Sequence, residues 1–538
     1  VGSEVDTGAQ RERAVELPAS LVRRLPVFLA RQRWYSGSDA DQVAVRAIEV
    51  VDAGPPALLW VLCEAAGGLW QVPLGLAAPG DEIDLSEIRD DAYLGVASSE
   101  ENDVVAYDAL ADRRLASRIL EVATGGRRRA SRARPAGVEQ SNSSVILDEE
   151  VILKLYRRLR PGRNPEVEMT AALDRVGFNH LAAPVGVWRD EARDLDLALA
   201  QEYLAGATEG FSLAQTSLRD VLGESAHGLE ELTAPSEPTT AEEEGDRGPE
   251  ELLPPGGLAR GRLRRPPERR VDEAEMDAEV DEPGLEPAEE VVARAGGDFA
   301  AEAGRIGEMT ARLHLALAEA FGSAPIAGPP VGEMLRRELA ETADMAVGDP
   351  DLSARLRRIL AGLEGLLPAI EQVADGGRAT RLHGDLHLGQ VLRGDVGWIV
   401  VDFEGEPARP FAERRRETSP LADVAGMVRS FHYAARLAAE ERQARREVAL
   451  LVAAAWERRN RRAFLEGYLA TPGIDGLLPP AAADRRAFLV AFEAAKALYE
   501  VRYELAFRPG WVVVPIEALE RLLRHRAGLG GGGGGRAG

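Results

Sequence analysis

The chain has 538 residues, with 65 basic against 89 acidic side chains and a formal charge of −24. That balance leaves no basic footprint and argues against a nucleic-acid binder, while 45% hydrophobic residues can build the cores of roughly three to four units. No apolar run reaches the ~18 residues of a membrane span. The opening VGSEVDTGAQRERAVELP has no apolar signal-peptide core. One cysteine, Cys63, excludes an internal disulfide or a cysteine-built metal site and fits a reducing, cytoplasmic setting. Only two of the 65 cations are lysines, Lys154 and Lys496. Heavy Ala, Gly, Pro and Arg usage points to a GC-rich coding bias that turns Lys into Arg wherever a site tolerates it. The two survivors therefore mark places where a guanidinium does not replace a compact ammonium.

In chain order, residues 1–120 begin with the helical pattern LPASLVRRLPVFLARQRWYSG. The segments AVRAIEVVD, ALLWVLCEA and GLWQVPLGL then read as antiparallel strands. Residues 121–215 hold the strands SSVIL, VILKLY, PVGVW and LALAQEYL, with one helix, NPEVEMTAALDRVG, among them. Residues 229–292 are rich in proline and acid. Between Glu230 and Glu290 there are 20 acidic and 7 basic residues, a net of −13. Such a stretch buries too little apolar surface to offset its ordering entropy, so it is expected to be a disordered insertion, either a solvated linker or a docking tail for a basic partner. Residues 293–526 are mostly helical, with clear apolar periodicity in FAAEAGRIGEMTARLHLALAEAF, LSARLRRILAGLEGLLPAIEQVA and RRAFLVAFEAAKALYEVRYELAF. Residues 527–538 form a flexible Gly-rich tail. The fold class is α+β, a small β-rich lobe followed by a large helical lobe.

Embedded in the helical part is RATRLHGDLHLGQVLRGDVGWIVVDFEGE, which reads as short strands around one loop. It brings Asp385, Gln390 and Asp402 to strand ends. Phosphoryl transfer needs such parts: a carboxylate to orient the attacking hydroxyl, and carboxylate and amide oxygens for Mg²⁺. The protein-kinase loop is H-R-D-x-x-x-x-N and its metal strand ends D-F-G. Here His383-Gly384-Asp385 is followed by four residues and Gln390, and the strand ends Asp402-Phe403-Glu404-Gly405. The Asp-to-amide spacing is kept, with the longer Gln in place of Asn.

The strings HGDLHLGQVL, VDFEGEPARP and SPLADVAGMVRSFHYAA resemble actinobacterial maltokinases and the maltokinase part of trehalose synthase fusions. These are aminoglycoside-phosphotransferase-like kinases. The resemblance runs from about 17 to 210 and 297 to 517. It implies a bilobal kinase-like fold with an N-terminal α+β cap at 1–120, a nucleotide-binding lobe at 121–215, and ATP and Mg²⁺ as cofactors. The implied reaction converts maltose to maltose 1-phosphate, feeding α-glucan and glycogen synthesis, with trehalose synthase as a possible partner. A glucosamine or other sugar kinase on the same scaffold is one alternative, and a non-catalytic regulatory module of trehalose metabolism is another.

In this resemblance Asp385 is the base that accepts the sugar hydroxyl proton, and Gln390 and Asp402 are the Mg²⁺ ligands. His383 is scaffold or substrate contact. Glu404 and Glu406 touch metal or sugar, or are solvated turn carboxylates. Asp423 accepts backbone N–H groups of the catalytic loop, or is a plain helix-start carboxylate. Lys154, mid-strand in VILKLY, points at the ATP phosphates and pairs with Glu168 in preference to Glu166. The preceding QSNSSVIL lacks a glycine-rich loop, leaving Ser143 and Ser144, with Ser141 and Asn142, to contact phosphate. Backbone groups around Gln201, Tyr203 and Leu204 take the adenine edge. Lys496, Tyr499 and Tyr503 share one helical face at i, i+3 and i+7 with Glu500 beside them, and suit a sugar. A tyrosine stripe packed on the core is the other reading. Arg409, Arg414, Arg415 and Arg416 steer ATP or are surface charge.

Overall fold

The computed structural model describes residues 17–228 and 285–524, apart from short breaks at 39–40, 79–80, 82–88, 99–102, 138–140, 296–297, 346, 407–408 and 443–445. The expected tail, 527–538, and residues 229–284 of the expected insertion lie outside the described residues.

The first sheet contains β1 (Ala44–Asp52), β2 (Ala57–Ala65), β3 (Gly68–Ala77), β4 (Tyr93–Ser98) and β5 (Asp103–Asp108), all antiparallel in the order β1-β2-β3-β5-β4. Side chains alternate between its faces, and both faces are covered. Leu59, Val61, Cys63, Val72 and Leu74 pack on Leu21, Leu25 and Phe28 of the two short N-terminal helices. Leu58, Trp60 and Leu62 face the other way, joining Leu115 and Ile119 of the helix Arg113–Ala123 and then Leu153, Leu155 and Leu197 of the next sheet.

The second sheet contains β6 (Ala133–Pro135), β7 (Ser143–Leu147), β8 (Val151–Leu155), β10 (Pro184–Asp190) and β11 (Leu195–Glu202), in the order β10-β11-β8-β7-β6. The short β9 (Arg158–Leu159), just past β8, leaves this sheet and pairs with β3, placing Arg158 opposite Trp70 and Leu159 opposite Leu69. A fully buried Gln71 seals this seam. Its Nε2 donates to the carbonyls of Tyr156 and Leu197, both at 2.7 Å, and its Oε1 accepts from Trp60 Nε1 at 2.9 Å. A buried amide with all its partners met fixes the register of both sheets.

The strand β12 (Thr208–Glu209) pairs with Val391–Gly394, which forms a hairpin with Gly397–Val400. Around it stand the long helices Ala300–Phe321, Leu421–Glu440, Arg446–Leu469 and Ala482–Phe507, sharing the largest core. The expectation of disorder through 292 needs correction at its end. Residues Leu285–Arg294 form a helix, with Ala288 and Val292 fully buried and Glu289 paired to Arg458 at 3.0 Å. Ala288 and Val292 are one helical turn apart and make a narrow apolar stripe, which the high average charge of the segment concealed. No helix among the described residues is long and apolar enough to cross a membrane.

Candidate active site

The loop that carries His383, Gly384 and Asp385 is held from beneath. Asp423, near the start of the helix Leu421–Glu440, is buried; its Oδ2 accepts the His383 N–H at 2.9 Å and its Oδ1 the Gly384 N–H at 3.0 Å. Burial raises the pKa of Asp423, but hydrogen bonding to His314 and the Gly384 N–H outweigh it and hold the carboxyl below its ordinary value. Gly426, one turn on, permits this approach: a Cβ there would lie 2.5 Å from the Leu386 carbonyl. His383 is 1% exposed; its Nε2 lies 3.0 Å from the Val401 carbonyl and its Nδ1 accepts the Asp385 N–H at 3.3 Å. Both ring nitrogens are committed to backbone, so His383 is scaffold and the substrate-contact reading is corrected.

Asp385 is thereby presented to a cavity. Its Oδ1 lies 3.0 Å from Lys496 Nζ, which also reaches Glu406 Oε1 at 2.7 Å. Burial lowers the lysine pKa, but Asp385 and Glu406 more than reverse this and hold Lys496 above the usual lysine range. Asp385, Glu406 and Lys496 line a cavity of 360 Å³ with Val331, Met334 and Phe492.

Across the loop stands the oxygen cluster. Asp402 sits at φ +63°, a left-handed conformation that a non-glycine residue holds only when its surroundings enforce it. Lys154 Nζ lies 2.9 Å from Asp402 Oδ1, 2.8 Å from Glu404 Oε1 and 3.0 Å from Glu166 Oε2. The Gln390 amide is 3.2 Å from Asp402 Oδ2, and Asn142 Nδ2 donates to Glu404 Oε1 at 2.7 Å. Oxygens of Glu166, Asp402 and Glu404 all fall within 4.8 Å of one another. Burial pushes the Glu166 carboxyl up to about 7 against the pull of Lys154. Three carboxylates around one ammonium leave negative charge to spare, and hard oxygen donors suit Mg²⁺. Asp402, Gln390 and Glu404 would hold it.

Several expected residues sit elsewhere. Lys154 pairs with Glu166, while Glu168 pairs with Arg381 at 3.1 Å and Arg415 at 2.8 Å. Asn164 caps this helix by accepting the Glu166 N–H at 2.8 Å, which turns Glu166 toward β8. Two residues on, roughly 200° round the helix, Glu168 faces the other way. Ser143 and Ser144 are strand positions of β7. The Ser143 hydroxyl accepts from Arg157 Nε at 2.8 Å, and the buried Ser144 hydroxyl has no partner among the described residues. The Tyr203 N–H is taken by the Glu150 carbonyl at 2.8 Å and the Gln201 amide donates to Ala182 O at 3.3 Å, so these two groups serve the sheet. The Leu204 carbonyl accepts the Ala207 N–H at 3.2 Å. Glu500 turns to Arg429, whose Nε is 3.2 Å away, and is not part of the cavity wall. Tyr499 lies beside the Lys496 ammonium, 5.2 Å from ring centre to Nζ, and stacks on Tyr503, which is 39% exposed and contacts Phe507. The stripe exists, but only Lys496 of the expected sugar face lines the cavity. Sequence reasoning left Glu404 and Glu406 undecided and gave Val331 and Met334 no role; the last two come from a distant helix with no chemical signature.

Residues 28–112 match the maltokinase N-terminal cap domain, and residues 281–464 match the phosphotransferase enzyme family. The chain is 28% identical over 513 residues to a glucosamine kinase of Streptacidiphilus jiangxiensis, covering 91% of this chain and 95% of that protein. It is 26% identical over 396 residues to a glucosamine kinase of Mycolicibacterium smegmatis, covering 72% and 79%. A solved glucosamine kinase in complex with glucosamine, ADP and inorganic phosphate shares the fold, with a TM-score of 0.56 and 23% identity over 90% of this chain and 94% of that one. The chain thus carries a match to the maltokinase cap domain followed by a match to the phosphotransferase enzyme family, and it shares the fold of a solved glucosamine kinase.

Proposed function

We propose that the chain transfers the γ-phosphoryl group of ATP to a sugar hydroxyl, with Asp385 as the base. The observation that supports this is that Asp385 lines a substrate-sized cavity while Gln390, five residues on in the same loop, bonds to Asp402 of the Lys154 oxygen cluster. In the transfer the sugar oxygen bonds to the γ-phosphorus, the bond from that phosphorus to the ADP oxygen breaks, and the hydroxyl proton passes to Asp385. Little covalent chemistry is left to the protein, so catalysis is positioning and charge stabilisation. Lys496 orients Asp385. Lys154, held charged by three carboxylates, meets the phosphates. Mg²⁺, when bound, would neutralise charge on the transferring phosphoryl oxygens.

The acceptor follows from different support. Both glucosamine kinase relatives align over most of their lengths, which favours glucosamine. Maltose rests on the motif strings and on a cap domain named for maltokinases; a role in glycogen synthesis and a trehalose synthase partner go with that acceptor alone. ADP formation with ATP and Mg²⁺, measured over glucosamine, maltose, glucose and trehalose, decides between them. Turnover with one of these sugars well above the sugar-free rate is expected, and none with any sugar would overturn the kinase reading.

A further inference from the structure

A second cavity, of 240 Å³, lies where the cap, the small lobe and the segment after the metal strand meet. Its cap wall is Trp34 and Trp70. Arg158 enters from β9, the strand that stitches the small lobe to the cap, and Arg160 from just past its end. Arg414 enters from the short helix Phe411–Arg414. Asn142 and Glu404 form the wall shared with the Lys154 cluster.

The charges here are unbalanced. The two acids of the wall are already engaged: Glu404 by Lys154 and Asn142, and Asp196 by Arg163 at 3.3 Å, Arg189 at 2.8 Å and the Asn164 N–H at 2.7 Å. Among the described residues Arg158 and Arg160 have no carboxylate partner, and their contacts are with the rings of Trp70 and Phe411. Burial, and then the like charges of Arg158 and Arg414, hold Arg160 below the ordinary arginine range. Converging guanidinium groups repel one another unless an anion sits between them. Their planar forks match a tetrahedral oxyanion, and the neighbouring Ser36, Ser141 and Asn142 add polar side chains.

We propose that this cavity is an anion site that binds a phosphoryl group, carried by a phosphorylated sugar or as free phosphate. It is separate from the acceptor cavity, since Asp385 and Lys496 do not line it. Occupancy ties β9, and through it the cap, to the segment that follows Asp402.

The test is calorimetric titration of the full chain with inorganic phosphate, glucosamine 6-phosphate or maltose 1-phosphate. A non-hydrolysable ATP analogue fills the nucleotide site in the titrations of wild type and of the Arg160 variants. At least one probe is expected to bind wild type. Arg160→Ala should weaken that binding by about tenfold or more, and Lys154→Met, titrated without the analogue, should retain it. Arg160→Gln serves as a second variant, and unchanged affinity for the ATP analogue in both shows that the fold is intact. Binding of inorganic phosphate as tight as that of the sugar phosphates identifies the free ion as sufficient; binding of sugar phosphates alone identifies the organic ligand, and either supports the site. No binding by any probe at millimolar concentration overturns the proposal. So does an anion whose affinity survives Arg160→Ala but is lost in Lys154→Met.

Discussion

Replacing Lys154 by Met removes the one ammonium that three carboxylates share. Glu166 is only 3% exposed at its side chain and Lys154 14%, so the loss leaves a buried carboxylate without its cation. Deleting one partner of a buried pair costs about 3–5 kcal/mol. The lower end applies here, because Asp402 and Glu404 keep access to water. The cost also depends on pH. Glu166 is already raised to about 7 with Lys154 present, and it rises further without it. A carboxyl raised in the folded state binds a proton that the unfolded chain releases. The variant therefore loses stability as pH rises from the ordinary glutamate value through the raised one. The deficit relative to wild type should be larger at pH 8 than at pH 6. Added Mg²⁺ should recover part of it by binding the same oxygens. Urea unfolding at both pH values, with and without MgCl₂, measures this directly, alongside ADP formation. Wild-type stability at pH 8 together with wild-type turnover would refute the role given to Lys154. The companion variant Lys154→Arg keeps the charge, but a planar fork cannot meet three carboxylates converging on a single nitrogen. Its turnover should fall by about 10²-fold, and a neutral result would end the argument from the rarity of lysine.

Lys496→Met should lower kcat by about tenfold or more while leaving the KM for ATP near wild type, since Lys496 touches Asp385 and Glu406 but not the Lys154 cluster; a change in the KM for ATP alone would contradict this. Excising 232–283 should leave stability and activity intact, whereas excising 232–290 cuts into the helix Leu285–Arg294, removes buried Ala288 and should lower the unfolding midpoint; equal stability of the two deletions would show that the helix contributes nothing. His432 is pushed down to about 4, first by burial, with Glu457 2.8 Å and Arg521 3.3 Å from its Nδ1. The unfolded imidazole takes up a proton below about 6.5 and the folded one only near 4, so stability falls on acidification through that window by up to about 1.4 kcal/mol per pH unit. His432→Gln should flatten that slope in urea midpoints read from pH 4.5 to 7, and an unchanged slope would assign it to other groups.

The parts of the site that were legible in sequence are those whose function is written in short range. The spacing from Asp385 to Gln390 and on to Asp402 survives because one loop and one hairpin carry all three. The two lysines stood out against the arginine background, and both meet carboxylates around that loop. The expected role of Asp423 agrees with its bonds to the His383 and Gly384 N–H groups. Choosing Glu168 over Glu166 failed because two first-turn carboxylates look alike until the Asn164 cap sets the rotation of the helix. The tyrosine stripe was read correctly as a face, but periodicity does not say what the face looks at; Tyr503 looks at solvent and Glu500 at Arg429. The pairing of β9 with β3 was not legible at all. It joins residues some ninety positions apart through a two-residue strand, too short for any pattern.

The central claim is that Asp385 takes a proton from a sugar hydroxyl while ATP is cleaved. The most direct measurement is ADP formation by wild type and Asp385→Asn in parallel, with the preferred sugar, ATP and Mg²⁺, together with nucleotide affinity by calorimetry. Asn keeps the shape of the side chain but cannot accept the proton. Sugar-dependent turnover should disappear while nucleotide affinity stays within a few-fold of wild type. Full turnover in Asp385→Asn would contradict the mechanism.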